Sequence, residues 1–148
     1  MAATDDREQL RALLARTSLF RGLSADELDR LLPRFTLREA PAGAVIVEQH
    51  APGDELFLVE AGELAASISH GGATARLGVL RAGDVFGEMA LLRGTPRTAT
   101  VTALTPVRLW ALSRTALDEA MRQAPAIGAR LHAIMRRRDL ANAFRALQ

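Results

Sequence analysis

The stretch from Gly83 to Val101, Gly-Asp-Val-Phe-Gly-Glu-Met-Ala-Leu-Leu-Arg-Gly-Thr-Pro-Arg-Thr-Ala-Thr-Val, gathers residue types that can hold an anion. Gly87 has no side chain to keep backbone N–H groups away from a ligand. The helix-compatible piece that follows, Glu88–Leu92, would present unpaired N–H donors and a favourable dipole at its start. Arg97 adds a planar fork of donors matched to phosphate oxygens. Glu88 is discordant, because a carboxylate beside a phosphate is repulsive unless a hydroxyl donates to it. A ribose supplies that hydroxyl. One Glu and one Arg, nine residues apart around a glycine-rich turn, therefore suit a ribose phosphate better than bare phosphate. The competing reading is a structural ion pair across a loop, which the two residues taken alone would favour.

Such a loop needs a scaffold, and the pattern on either side supplies one. In the first third, Asp5 or Asp6 can cap a helix whose Leu10, Leu13 and Leu14 share a face, with Gly22 ending it. Ser24 and Glu27 have capping-box spacing before Leu28, Leu31 and Leu32, and Pro33 stops that second helix. From Phe35 the period shortens to that of strands. Val45–Val47 follows Pro41-Ala-Gly43, and Leu56–Val59 follows Pro52-Gly53. Leu64, Ala66 and Ile68 alternate with polar residues, and Gly71-Gly72 turns the chain into Ala73–Leu80. After the glycine-rich stretch, Thr98, Thr100 and Thr102 alternate with Ala99, Val101 and Ala103, and Val107–Leu112 closes the series. Many short strands imply an antiparallel sandwich or small barrel. Helix then returns. Ser113 or Thr115 can cap a segment through Met121, and Pro125 separates it from a last helix starting near Ala126, with Ile127, Leu131, Ile134 and Met135 near one face.

Phe86-Gly-Glu-Met-Ala-Leu-Leu followed by Pro96-Arg-Thr-Ala-Thr resembles the phosphate-binding cassette of the cyclic-nucleotide-binding domain family. Pro52-Gly-Asp-Glu-Leu-Phe-Leu-Val-Glu-Ala-Gly62 is similar to that family's upstream turn and strand. The resemblance implies an α+β, mainly β fold: a jelly-roll-like antiparallel β-roll of about eight strands flanked by N-terminal and C-terminal helices. It makes residues 1–148 one domain, with helices over 1–33, the roll over 34–113 holding the cassette at 83–101, and helices over 114–148. The implied ligand is cAMP or cGMP, with no other cofactor. By the same resemblance, Glu88 accepts from the ribose 2′-hydroxyl and Gly87 adds backbone contacts beside Phe86. The Ala90 N–H reaches the cyclic phosphate and Arg97 pairs with its charge. Thr98 touches phosphate and sometimes the base, with Ala99 beside it, while a C-terminal helix folds over the base. Leu131, Ile134 and Met135 are the candidate cover. Met89 reads equally as core or as a base contact, and Thr100 and Thr102 are chiefly good strand formers.

Composition narrows the remaining classes. All 19 basic residues are arginine, with no Lys, Tyr or Cys, so a pI near 10.7 reflects a net charge of only +2. That charge does not argue for nucleic acid. The absence of cysteine excludes disulfides and thiolate chemistry. His50, His70 and His132 lack ligand spacing, so no metal is expected, and no carboxylate pair has an acid/base setting. The expectation is a non-catalytic sensor acting on an effector domain or protein outside this chain. The N-terminus lacks a secretory signal and no stretch is long enough to span a bilayer, so cytoplasmic location without membrane insertion is expected. Arg136-Arg137-Arg138 reads as a solvated face on the last helix. Two alternatives stand beside the sensor. One is the sensing part of a truncated CRP-like transcription regulator, which needs about 60 further residues with a recognition helix, so this chain alone is expected to bind no nucleic acid. The other is a ligand-free scaffold, against which Glu88 and Arg97 both count.

Overall fold

A computed structural model of the chain describes residues 2–17, 19–88, 91 and 94–133. Helices α1 (Ala2–Arg16) and α2 (Ala25–Leu31) lead through a 3₁₀ turn (Leu32–Arg34) into the β-region. Eight strands follow: β1 (Thr36–Ala40), β2 (Val45–Val47), β3 (Glu55–Ala61), β4 (Leu64–His70), β5 (Ala73–Leu80), β6 (Val85–Phe86), β7 (Thr100–Ala103) and β8 (Val107–Ser113). Helix α3 (Arg114–Gln123) comes next, and α4 occupies residues 126–133. The strands form two four-stranded antiparallel sheets in the orders β1-β8-β3-β6 and β2-β7-β4-β5. This is the expected β-roll with helices at both ends.

The first sheet is covered on both faces. Alternation along β3 and β8 divides its side chains between two cores. Leu56, Leu58, Trp110 and Leu112 join a helix-side cluster with Leu10, Leu14, Phe20, Leu31, Leu117 and Leu131. Phe57, Val59, Leu109 and Ala111 point into the roll, where they meet Leu64, Phe86, Val101 and Ala103. Each such leucine, taken fully out of water, stabilises the fold by about 1.5–3 kcal/mol. Between Val59 and Ala61 the β3–β8 register shifts. Beside that irregularity, Glu60 accepts from Trp110 Nε1 at 3.0 Å and pairs with Arg108. Arg108 also reaches Glu39 and Asp6, at 2.7 and 2.9 Å, and so ties α1 to the sheet. The hydrogen bond to Glu60 and the three carboxylates hold the Arg108 guanidinium above its ordinary value, against burial.

Local signals were right in kind and off in extent. The Ser24–Glu27 capping box forms, with both reciprocal bonds present. Ser113 caps α3, its hydroxyl accepting from Ala116 N at 3.1 Å. Asp5 and Asp6 do not cap α1, which already begins at Ala2; Asp6 serves the Arg108 contact instead. Gly22 does not end that helix either. The helix stops at Arg16, where the buried Thr17 hydroxyl donates to Leu13 O at 2.7 Å, and a turn buries Leu19 and Phe20. β6 lies inside the stretch read as an interruption between strands. Its two residues pair with Phe57 and Leu58 of β3.

Candidate functional site

β6 delivers the chain to the cassette. Phe86 pairs with Phe57, and their rings stack at 5.1 Å between centroids. Gly87 then turns at φ +82°, and a Cβ there would lie 2.9 Å from Glu55 O and 2.5 Å from Arg97 Nη1. Only glycine meets both conditions, the left-handed backbone and the missing side chain. A helical turn begins at Glu88, and Leu91 N donates to Gly87 O at 3.3 Å. Leu91 is buried in the helix-side core, so the cassette turn touches the same apolar layer as the helices.

The chain returns through Pro96 to Arg97, whose backbone is locked in both directions. Arg97 N donates to Ala51 O at 2.9 Å, and His50 N donates to Arg97 O at 2.7 Å, with His50 itself left-handed at φ 71°. The Arg97 side chain is buried, with the residue 8% exposed. Its Nη1 donates to Glu55 O at 2.9 Å and to Gly87 O at 3.4 Å, and Cζ stands 5.9 Å from the Phe57 ring centroid. These hydrogen bonds go to main-chain carbonyls, not to Glu88, which removes the loop ion pair as the explanation of Arg97. Gly53 makes room on the other side: a Cβ there would meet Arg97 Nε at 2.1 Å. Burial pushes the Arg97 guanidinium down from its ordinary value, and the negative charges of Glu55 and Asp54 partly restore it. The result is a desolvated cation held by dipoles. An incoming anion would be a stronger partner than either carbonyl.

Arg97 stands at the wall of a cavity of ≈ 360 Å³. Its lining includes Phe86, Gly87, Glu88, Thr98 and Ala99, so six of the eight sequence-derived site residues meet at one opening. The other two, Met89 and Ala90, lie outside the described residues. Val85 of β6 and Pro96, both inside the cassette, also line it; the rest of the wall was missed by sequence reasoning, with Val47, Ala66, Leu77, Leu80 and Val101 coming from β2, β4, β5 and β7. Their only sequence signal was the inward phase of strand alternation, which does not say which inward residues line a cavity. Thr98 lies before β7, not within it. Leu131 does not line this cavity; it is buried in the helix-side core with Ile127 and Leu19. Ile134, Met135 and Arg136-Arg137-Arg138 lie outside the described residues. Among the described residues no histidine or carboxylate cluster could hold a metal, and no helix is long and apolar enough to cross a membrane.

Two packed sheets flanked by helices, with a glycine turn, a carboxylate and a buried arginine at one apolar cavity, define the class. The chain belongs to the cyclic nucleotide-binding domain family, whose model matches residues 37–124. It is 38% identical to the cGMP-dependent protein kinase egl-4 of Caenorhabditis briggsae over 73% of this chain and 14% of the kinase. It is similar to the regulatory domain of Toxoplasma gondii PKA, solved with cAMP, at TM-score 0.75 and 31% identity, over 78% of this chain and 44% of that one. It also resembles the N-terminal domain of a transcriptional regulator from Streptomyces coelicolor A3(2), at TM-score 0.79 and 28% identity, over 92% of this chain and 95% of that one. The chain thus spans a small part of the kinase and under half of the PKA chain.

Proposed function

We propose that the chain binds a cyclic mononucleotide in the ≈ 360 Å³ cavity and reports its occupancy through the flanking helices, without catalysing a reaction. The observation that carries this reading is Arg97. A buried guanidinium whose hydrogen bonds, among the described residues, go to main-chain carbonyls, across a positive-φ glycine from a carboxylate, suits a cyclic phosphate joined to a ribose. Arg97 takes the phosphate charge, the main chain at Gly87 serves the sugar, the role of phosphate donor falls to the Ala90 N–H, and Glu88 accepts from the 2′-hydroxyl. Phe86 and Ala99 complete the enclosure, Met89 is either a base contact or a core residue, and the apolar strand wall receives the base. Among the described residues the lining offers one neutral side-chain hydroxyl, that of Thr98. Base selection is accordingly shallow: cAMP is favoured and cGMP is accepted through Thr98. No further cofactor is needed.

The signal leaves through the C-terminal helices to an effector domain or protein. Support for this route is the position of Leu91, which belongs both to the cassette turn and to the helix-side core. A second reading, the sensing part of a longer transcription regulator, is favoured by the likeness to the Streptomyces domain over 95% of its length.

Calorimetric titration of the chain and of Arg97→Ala with cAMP and cGMP tests the proposal. Removing one partner of a buried charged contact costs about 2–5 kcal/mol, so Arg97→Ala should stay folded and bind at least roughly 30-fold more weakly. Near-unchanged affinity in a folded variant would refute the assignment.

A further inference from the structure

Arg114, the first residue of α3, touches two walls of the cassette site at once. Its main-chain N–H donates to Asp54 O at 2.7 Å. Its Nη1 donates to Leu91 O at 2.9 Å, and its Nε to Asp118 Oδ1 at 3.0 Å, one helical turn further on. Asp54 lies between Gly53 and Glu55, the two residues that confine the Arg97 side chain. Leu91 closes the cassette turn through its N–H to Gly87 O, the carbonyl that also accepts from Arg97. Two chains of hydrogen bonds therefore leave Arg97, one through the start of β3 and one through the cassette turn. Both end on Arg114.

We infer that Arg114 is a positioning residue that couples the cassette to α3. An anion drawing Arg97 away from Glu55 O and Gly87 O shifts both walls; the Arg114 main-chain bond to Asp54 O anchors the helix start, and the side-chain bond to Leu91 O carries the cassette's shift into it. Apolar contact at Leu91 is non-directional and lets surfaces slide. A charged donor on a carbonyl is directional and does not. The helix itself does not depend on the Arg114 side chain, because Ser113 supplies the cap. The side chain is 47% exposed, and its pair with Asp118 contributes little stability.

This inference rests on the nucleotide reading, and the test separates the two. Wild type, Arg97→Ala, Arg114→Met and Arg114→Lys are titrated with cAMP, and hydrogen exchange is followed with and without saturating cAMP. Arg114→Met should keep its thermal midpoint and bind cAMP within roughly tenfold of wild type. Its cAMP-dependent exchange change over residues 114–133 should fall to less than roughly a third of wild type, while the change in the cassette persists. Arg114→Lys, which retains one charged donor, should recover much of the helix response. Arg114→Gln replaces the Met variant if the latter is unfolded. A wild-type helix response in either neutral variant overturns the coupling role, with the binding reading intact. Failure of the wild-type chain to bind cAMP or cGMP removes both.

Discussion

Sheet β1-β8-β3-β6 is covered on both faces, by the helices on one side and by the interior of the roll on the other. Sheet β2-β7-β4-β5 is covered on its inner face only. β5 at its edge is exposed from Ala73 to Gly78, with Leu77 60% exposed at the cavity mouth. The difference separates two jobs. The doubly buried sheet is the scaffold, and burial on both faces leaves it little freedom to deform. The singly buried sheet supplies most of the strand residues at the cavity, where a ligand can replace missing core. The cassette joins them, since it starts at β6 on the edge of the first sheet and ends at β7 inside the second. A ligand seated there touches the junction between the rigid half and the open half.

The largest effect that would sharpen this comparison is on stability. Leu58, fully buried on the helix side of β3, should cost about 2–5 kcal/mol on truncation to Ala. Arg76→Ala on the exposed β5 should stay within about 0.5 kcal/mol. Urea unfolding of both variants reads the contrast directly, and equal losses would break it. Next comes the junction itself. A hydrogen bond to a charged group is worth about 1.5–3 kcal/mol, so loss of the ligand's 2′-hydroxyl should cost about that much in wild type and far less in Glu88→Ala. Titration with cAMP and its 2′-deoxy analogue decides, and identical losses in both proteins remove Glu88 from the ribose.

A smaller effect concerns the helix layer over the doubly buried sheet. Glu27 is buried, accepts from Ser24 N at 2.8 Å, and pairs with Arg130 of α4 at 3.1 Å. The Ser24 main-chain bond, with help from the Ser24 hydroxyl and Arg130, holds the Glu27 carboxyl below its ordinary 4.5 despite burial. A depressed folded value means the contribution is present above the unfolded pKa and is lost as pH falls through the folded one. Glu27→Gln keeps an acceptor for Ser24 N but gives up the charge, and should therefore cost about 1 kcal/mol at neutral pH. Its disadvantage against wild type should shrink on acidification below pH 4.5, as urea midpoints at neutral and acid pH would measure. A gap that widens in acid would contradict this. The smallest effect lies at the entry to β7. A neutral hydrogen bond is worth about 0.5–1.5 kcal/mol, so Thr98→Ala should lower cGMP affinity more than cAMP affinity, by up to roughly tenfold. Parallel losses would assign Thr98 to the phosphate alone.

Sequence alone was enough wherever the signal was local. The Ser24–Glu27 box, the bounds of β2 and β5 and the turn at Gly71-Gly72 are decided by residues within a few positions of one another. The cassette residues were legible for the same reason: Gly87, Glu88 and Arg97 sit in one short segment, and all three line one cavity. Tertiary structure decided what depends on distant partners. Asp6 is drawn to Arg108, 102 residues away, instead of capping its helix, and two residues with no strand pattern of their own become β6 by pairing with β3. Gly53 looks like any turn glycine until the Arg97 side chain is packed against it. Leu131 carries the same apolar signal whether it covers a ligand or a core, because periodicity records that a face is buried and not what buries it.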